Sequence, residues 1–256
     1  MNPVVQIERA GPVTTATLNR PAKRNALNLA LLEALNAALA AAAADAGQRI
    51  LVLRGAGPVF SSGLDLAEAG DADFAQRSAD MVGQALEALA TTRLITIAAV
   101  QGAAVAGGAG LMSACDFVVA TRDAKFGYPE LRRGLVPALI MTFLRRQLRE
   151  RDARELLLLG KLVSAEHALA IGLVNRLVAD EAALATELQS LVGSLLQGAP
   201  EAQADTKKLL RELWPSPVAT DLARARAHHL AARNSAEAKE GIAAFHAKRP
   251  PRWAPR

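Results

Sequence analysis

Two glycine-bearing turns in the sequence could place backbone N–H groups beside a single oxygen atom. The turns span residues 60–65 and 102–110, and each follows an apolar, strand-like run and precedes a helix-like one. Glycine lets a backbone approach a ligand closely because it has no Cβ. We expect the N–H groups of Ser62 and Gly107 to form an oxyanion hole, in which fixed donors stabilise negative charge developing on an oxygen.

A carboxylate follows the second turn. Glu130 comes directly after Pro129 in segment 127–130, which is predicted to be a loop. A titratable group beside an oxyanion hole is suited to moving protons at a carbon next to a carbonyl group. Glu130 is therefore the candidate catalytic residue, and burial beside an apolar substrate is expected to raise its pKa.

The composition is that of a globular protein. The chain has 256 residues, 51% of them hydrophobic and 21% charged, which suffices to bury a sizeable core in one domain or two. Its single cysteine, Cys115, excludes an intramolecular disulfide and is in keeping with a reducing cytoplasm. No targeting segment and no long apolar run is recognisable, so we expect a cytoplasmic protein that does not enter a membrane.

The net charge of +5 leaves two interpretations open. It is consistent with an ordinary solvated surface or with attraction to a polyanion. The aromatic residues are sparse and are not interleaved with the lysines and arginines, which argues against a nucleic-acid partner.

Hydrophobic periodicity predicts an α/β fold. Strand-helix alternation in the first half favours parallel strands with crossover connections. Asn28 is the expected N-cap of the first helix. From residue 137 onward the pattern is mostly helical, with three or four helices over 181–246. The predicted elements of the first half are a hairpin of strands 4–9 and 13–19, helices 28–44, 74–91 and 109–114, and strands 50–54, 94–100 and 116–120.

The second glycine turn also partly matches a dinucleotide-binding loop. That fingerprint consists of a strand, three spaced glycines and a helix. Here the third glycine is replaced by Ser113, and about six residues separate Gly110 from the next strand. This spacing is too short for a crossover helix, so we disfavour a dinucleotide site.

Five segments of the chain occur together in a characteristic order, namely 18–27, 61–65, 102–116, 126–130 and 168–174. With these segments the chain resembles the crotonase superfamily, the enoyl-CoA hydratase/isomerase proteins. The resemblance implies a ClpP-like spiral of ββα units over residues 1–195 and a C-terminal helical region over 196–256 that mediates trimers, often paired into hexamers.

The resemblance also implies an acyl-CoA thioester as substrate, without a metal or redox cofactor. Catalytic roles are expected for Glu130 and for the Ser62 and Gly107 backbones. Basic residues at 23–24, 132–133 and 248–249 are available for the phosphates of coenzyme A, with Phe245 and Lys248 expected to reach it from a neighbouring subunit. The candidate substrate-binding residues are Lys23, Ala26, Leu27, Ser62, Gly63, Leu64, Asp65, Gly107, Gly110, Phe245 and Lys248.

The sequence departs from the resemblance at one important position. Typical hydratases of the family carry two glutamates, and Gly110 replaces the first while Glu130 matches the second. Two carboxylates can share the addition of water, whereas one suits a 1,3 proton shift. A hydratase and a delta3,delta2-enoyl-CoA isomerase therefore remain open, as does a non-catalytic CoA-binding homologue. Gly110 is also expected to leave an empty volume for a bulky acyl group.

Three further polar residues lie near the turns. Asp65 is expected to cap the helix that follows it. Ser113 and Tyr128 could hold a water molecule, but packing or a local hydrogen bond is the favoured role for each. The apolar stretch 135–141 is expected either to border the acyl pocket or to form a core helix.

Overall fold

The computed structural model describes residues 2–65, 72–213 and 215–253 and shows an α/β protein. Besides strands and helices, the protein contains short 3₁₀ turns at Pro21–Lys23 and Pro129–Arg133. The strands are β1 Val5–Ala10, β2 Val13–Leu18, β3 Ile50–Gly55, β4 Ile95–Val100, β5 Ala103–Val105, β6 Phe117–Thr121, β7 Lys125–Gly127, β8 Val163–Ser164 and β9 Arg176–Val178. The helices are α1 Leu29–Ala44, α2 Ala72–Thr91, α3 Gly107–Ser113, α4 Ala138–Gln147, α5 Glu150–Leu159, α6 Ala165–Ala170, α7 Glu181–Leu196, α8 Pro200–Glu212, α9 Val218–Arg233 and α10 Ala236–His246.

The strands form two sheets. The larger sheet has the order β1-β2-β3-β4-β6-β9, in which the β1-β2 hairpin is antiparallel and the other pairs are parallel. The smaller sheet has the order β5-β7-β8, with β5 parallel to β7. A parallel arrangement requires crossover connections, which the helices supply. The predicted α/β class and parallel sheet are confirmed.

Successive units of the chain repeat one path. A strand of the large sheet is followed by a short extended segment in the smaller layer and then by a helix, as in β4-β5-α3 and β6-β7-α4. The β3 unit follows the same path, since Ser61 forms a parallel bridge with Ala104 of β5. The chain therefore winds as a spiral of ββα units.

Apolar side chains cover both faces of the large sheet. Alternate residues of β3 and β4 belong to two separate core clusters, as expected because strand side chains alternate between faces. On one face Leu51 and Leu53 join the core with leucines of α1 and α2. On the other face Ile50 and Val52 pack with Leu184 and Leu191 of α7. Near-continuous apolar runs are typical of parallel strands covered on both sides.

Most predicted elements are confirmed, with shifts at their ends. The Asn28 side chain accepts a hydrogen bond from Leu31 N at 3.0 Å and caps α1 as expected. Helix α3 starts at Gly107 rather than at residue 109, because tertiary packing overrides the low helix propensity of glycine. Strands β5, β7, β8 and β9 were not predicted, since two or three residues give too short a pattern.

The C-terminal helices pack against the spiral of the same chain. Val218 and Leu222 of α9 belong to the main core cluster. A Cβ added to Gly241 of α10 would lie 2.4 Å from the backbone of Arg133, so α10 lies tightly on the 3₁₀ turn that carries Glu130. The division at residue 195, one residue before the end of α7, stays a prediction. Within the described residues, no helix is long and apolar enough to cross a membrane.

Helix α8 is anchored by a buried ion pair. Lys207 is 7% exposed, and its Nζ donates to Asp116 Oδ2 at 2.6 Å and to the Leu94 carbonyl at 2.8 Å. The same Asp116 oxygen accepts from the Thr96 backbone N–H at 2.8 Å. Burial lowers the pKa of Lys207, and the Asp116 carboxylate opposes this change.

Removing Lys207 should therefore destabilise the protein. Lys207→Met leaves Asp116 without its cation and should lower the free energy of unfolding by about 3 kcal/mol in urea denaturation. Lys208→Met is the matched control, since Lys208 lies on the same helix in an exposed pair with Glu212, and it should change stability by less than about 0.5 kcal/mol. Equal effects of the two substitutions would show that the buried pair does not stabilise the fold.

Candidate active site

A cavity of about 610 Å³ opens where the glycine turns meet the C-terminal helices. Most of its wall is apolar, and Glu130 is placed in it beside the two turns. The predicted residues that line it are Lys23, Ala26, Ser62, Leu64, Asp65, Gly107, Glu130 and Phe245. The predicted residues that do not line it are the buried Leu27, Gly63 and Gly110 and the exposed Lys248.

Parallel pairing puts three parts of the chain in register at this cavity. Ser61 pairs with Ala104, which in turn pairs with Phe126 of β7. Leu64 lies three residues after Ser61, and Gly107 lies three residues after Ala104. Paired parallel segments advance together. The first turn therefore meets the second at Leu64 rather than at Ser62, and the continuation of β7 brings Glu130 to the same place.

The backbone hydrogen bonds identify two free donors. The N–H groups of Leu64 and Gly107 have no acceptor among the described residues. A Cβ added to Gly107 would lie only 3.8 Å from Leu64 N. The expectation for Ser62 is wrong, because Ser62 N donates to the Arg24 carbonyl at 3.0 Å. Leu64 and Gly107 are therefore the free donors that the two facing turns bring to this cavity, among the described residues.

The local backbone explains how these donors come close. Gly63 has φ +86, and a Cβ there would lie 2.8 Å from the Val105 carbonyl oxygen, so the contact between the turns requires glycine. Ala106 has φ 50 and ψ −126, an unfavourable conformation for a residue with a side chain. Its N–H donates to the Gly127 carbonyl at 2.8 Å. Strain of this kind persists only where the surrounding structure imposes it, and it often marks functional sites.

Glu130 combines contact with the cavity and an unsatisfied carboxyl group. The residue is partly exposed to the cavity, but its Oε2 atom is buried and has no hydrogen-bond partner. Burial raises the pKa of Glu130 to about 7, against the lowering effects of its own backbone and of the Arg133 charge. The expected direction of the pKa shift is confirmed. A carboxyl group of this kind exchanges protons readily near neutral pH.

Asp65 is the other carboxylate among the described residues of the cavity wall. It forms an ion pair with Arg20 at 3.0 Å, and both side chains are largely buried. This pair ties the first turn to the loop after β2. The expected capping role of Asp65 falls on residues 66–71, which lie outside the described residues.

Gly110 does not leave an empty volume. A Cβ at this position would lie 2.8 Å from Ile140 Cγ1 and 3.7 Å from Leu86 Cδ2. The expectation of extra room for an acyl group is therefore wrong, because α4 and α2 fill the space. Ile140 itself lines the cavity, as do the other members of the apolar stretch 135–140.

Ser113 and Tyr128 form a hydrogen bond to each other. Their hydroxyl oxygens are 2.9 Å apart, and Ser113 Oγ lies 2.8 Å from the Ala109 carbonyl oxygen as its donor. Both side chains are buried. The favoured interpretation, a local hydrogen bond rather than a water site, agrees with this geometry.

The basic and aromatic residues predicted for coenzyme A fall into two groups. Lys23 and Arg24 line the opening of the cavity and are exposed. Phe245 lines the cavity of its own chain, with the Arg133 guanidinium 4.6 Å from its ring centre, and its expected contact with coenzyme A of a neighbouring subunit stays a prediction. Lys248 is exposed and lies away from the cavity wall.

Sequence analysis missed His229 and Arg233, which line the cavity from α9. Residues 218, 222, 225, 229 and 233 follow a helical period and share one face. The first three of these positions are apolar and pack in the core. Because His229 and Arg233 continue the helix face that is buried at the first three positions, the helical period of the sequence could have predicted that they face the interior.

Side chains suited to a metal site do not gather in the described part of the chain. No group of three or more His, Cys, Asp or Glu residues there is placed to hold a metal ion.

Comparisons with known proteins agree with this architecture. The family model for enoyl-CoA hydratase/isomerase matches residues 8–256. A putative enoyl-CoA hydratase of Thermus thermophilus is 39% identical over 98% of this chain and all of its own length. The 2,3-dehydroadipyl-CoA hydratase of Escherichia coli K12 is 35% identical over 96% of both chains.

Solved structures give the same result for the fold. An enoyl-CoA hydratase from Mycobacterium avium has a TM-score of 0.87 and 33% identity, covering 99% of this chain and 100% of its own. An enoyl-CoA hydratase/isomerase from Xanthobacter autotrophicus Py2 has a TM-score of 0.86 and 32% identity, covering 98% and 99%. The chain therefore belongs to the enoyl-CoA hydratase/isomerase family and has the crotonase fold.

Proposed function

We propose that the protein is an enzyme that hydrates an α,β-unsaturated acyl-CoA thioester, with Glu130 as its proton-transferring group. The observation that carries the proposal is the unpartnered Glu130 carboxyl beside the free N–H groups of Leu64 and Gly107. Relatives named as enoyl-CoA hydratases over nearly their whole length support the choice of reaction. Coenzyme A enters as part of the substrate, and the proposal requires no metal or redox cofactor.

The proposed mechanism begins with the thioester oxygen between the two N–H donors. The Glu130 carboxylate removes a proton from water while the water oxygen attacks Cβ, and the electrons of the double bond move to the thioester oxygen as an enolate. The two N–H groups stabilise this charge. Glu130 then delivers the proton to Cα, which completes the addition of water. A pKa of about 7 suits a group that must both accept and return a proton.

Isomerisation is the second candidate reaction. Glu130 could remove a proton from Cα of a β,γ-unsaturated thioester and return it to Cγ, which moves the double bond into conjugation. The absence of a carboxylate at Gly110 favours this reaction, because the second group that usually helps to position water is missing there. Both reactions pass through the same enolate and use the same donors.

The mass of the product distinguishes the two reactions and tests for catalysis. Straight and branched enoyl-CoA thioesters should be incubated with the protein in ordinary and in heavy-oxygen water, and the products analysed by mass spectrometry. We expect incorporation of one water molecule that carries the heavy isotope. A product of the same mass as the substrate would identify the protein as an isomerase instead. If no thioester gave a product, the result would support a non-catalytic CoA-binding homologue.

Replacing the carboxyl group should remove most of the activity. Glu130→Gln keeps the size of the side chain but cannot exchange a proton, so kcat should fall by about 10²–10⁴-fold. In the wild-type protein the basic form is active, so the rate should rise as pH increases through about 7. The Gln variant should lack this step while binding a saturated acyl-CoA normally. Retained activity with the same pH profile would show that another group carries the proton.

Crowding the N–H of Gly107 should also lower turnover. Gly107→Val places methyl groups beside the proposed oxygen site, and kcat/KM should fall by about 100-fold or more. The one contact of its Cβ shorter than 3.4 Å would be with the end of the Leu27 side chain, at 3.3 Å, so the fold should persist. Gly193→Val is the matched control, since a Cβ at Gly193 meets nothing within 4 Å. Equal kcat/KM for the two variants and the wild type would remove Gly107 from the mechanism.

A homotrimer, or a dimer of trimers, remains the proposed assembly. Large apolar side chains on α5 and near the end of α8 are exposed in the single chain, among them Leu158, Leu159, Leu210 and Leu213. Exposed apolar clusters of this kind often mark interaction surfaces. A cytoplasmic location likewise remains a prediction.

A further inference from the structure

A buried arginine in the cavity has no acidic partner among the described residues. Arg233, at the end of α9, is 7% exposed and lines the cavity. Its Nη1 atom is buried and has no hydrogen-bond acceptor. No ion pair of Arg233 occurs within the described residues. The guanidinium is therefore available to a group that enters the cavity.

Among the described residues, no carboxylate offsets the burial of Arg233. Burial lowers the pKa of Arg233, and no described carboxylate opposes this change. Arg133 differs in this respect, because the Glu130 charge raises its pKa against burial. Within the described residues, the Glu130 charge thus opposes the effect of burial at Arg133 but not at Arg233.

The described neighbours of Arg233 do not supply a negative charge. His229 lies one turn earlier on the same helix, and burial together with the Arg233 charge lowers its pKa to about 4, so it is neutral at neutral pH. The ring of Phe74 lies 5.9 Å from the Arg233 guanidinium. A cation–π contact at this distance compensates only part of the cost of burial.

An unpaired buried cation lowers stability unless a ligand completes it. Removing a charge from water costs several kcal/mol, and an apolar side chain at the same position would avoid that cost. Among its described residues, α2 contributes Ser78, Ala79 and Val82 to the cavity wall. Arg233 therefore adds an unpaired cation to a mostly apolar cavity wall, which matches an apolar chain that ends in an anion.

We propose that Arg233 binds a carboxylate on the acyl chain, so that the preferred substrates are unsaturated acyl-CoA thioesters whose acyl group itself carries a terminal acid. The proposal rests on the proposed function, because it assumes that the acyl chain occupies this cavity. A guanidinium suits the task since it binds carboxylates through two parallel hydrogen bonds. The phosphates of coenzyme A have other cations available at the opening, Lys23 and Arg24.

Matched pairs of thioesters test the proposal. Each pair contains a trans-2-enoyl-CoA with a terminal methyl group and its counterpart with a terminal carboxylate, in a series from four to eight carbon atoms. The readout is the ratio of kcat/KM for the acid to kcat/KM for the methyl compound. We expect Arg233→Leu to lower the highest ratio by about 100-fold, the usual consequence of removing one partner of a buried charge pair.

Two further variants make the result specific. Arg224→Leu removes an exposed arginine from the same helix and should leave the ratio unchanged. Arg233→Lys keeps the positive charge and should restore part of the preference. A ratio near one in the wild-type protein, or an equal loss for both members of each pair in Arg233→Leu, would overturn the proposal.

A binding measurement separates this proposal from the proposed function. Saturated thioesters with and without the terminal carboxylate should be titrated into the wild-type protein and into Arg233→Leu by calorimetry. Tighter binding of the acid only when Arg233 is present would support the carboxylate site even if no thioester were turned over. Turnover of enoyl-CoA with no preference for the acid in either assay would leave the proposed function intact and reject the site.

Discussion

The parallel pairing of three short backbone segments is the constraint on which the candidate active site depends. Ser61 N donates to the Ala103 carbonyl at 3.1 Å, and Val105 N donates to the Ser61 carbonyl at 3.0 Å. Strand β7 continues the same layer beside β5. Because the register is fixed there, the free N–H groups and Glu130 emerge at one place. A shift of one residue in either pairing would separate them.

Some of the buried charged groups form ion pairs with each other, and others do not. Lys207 and Asp116 compensate each other in the interior, and Arg20 and Asp65 do so beside the cavity. Among the described residues, neither Glu130 nor Arg233 forms an ion pair, and each has a buried polar atom without a hydrogen-bond partner. Uncompensated groups of this kind reduce stability and are found where a ligand or a reaction requires them. We infer that the cavity is incomplete until an anionic, polarisable substrate fills it.

Much of the fold and part of the site could be predicted from the sequence. Long periodic segments such as α1 and strand-like apolar runs such as β3 and β4 were recognised because their patterns extend over several residues. Glu130 and Gly107 were identified from the motifs. The donor Leu64 was missed because the direction of an N–H group depends on pairing with a distant segment, here the one that contains Arg24.

Contacts between side chains of elements that are distant in the chain could not be predicted from the sequence either. The space beside Gly110 is filled by Ile140, thirty residues later in the chain, so a small residue did not imply a void. Phe245 reaches the cavity of its own chain because α10 packs tightly on the turn after β7. Arg233 joins the cavity through the packing of α9 on α2 and α4. Such contacts follow from tertiary packing rather than from local pattern.

We infer that Glu130 is a buried carboxyl group that changes its protonation state near neutral pH. Difference infrared spectroscopy of the wild-type protein and Glu130→Gln, titrated from acid to alkaline pH, observes the carbonyl band of the protonated carboxyl directly. We expect a band in the wild-type protein that disappears with a midpoint near pH 7 and is missing in the variant. A band that disappears near the ordinary glutamate pKa of about 4 would contradict it.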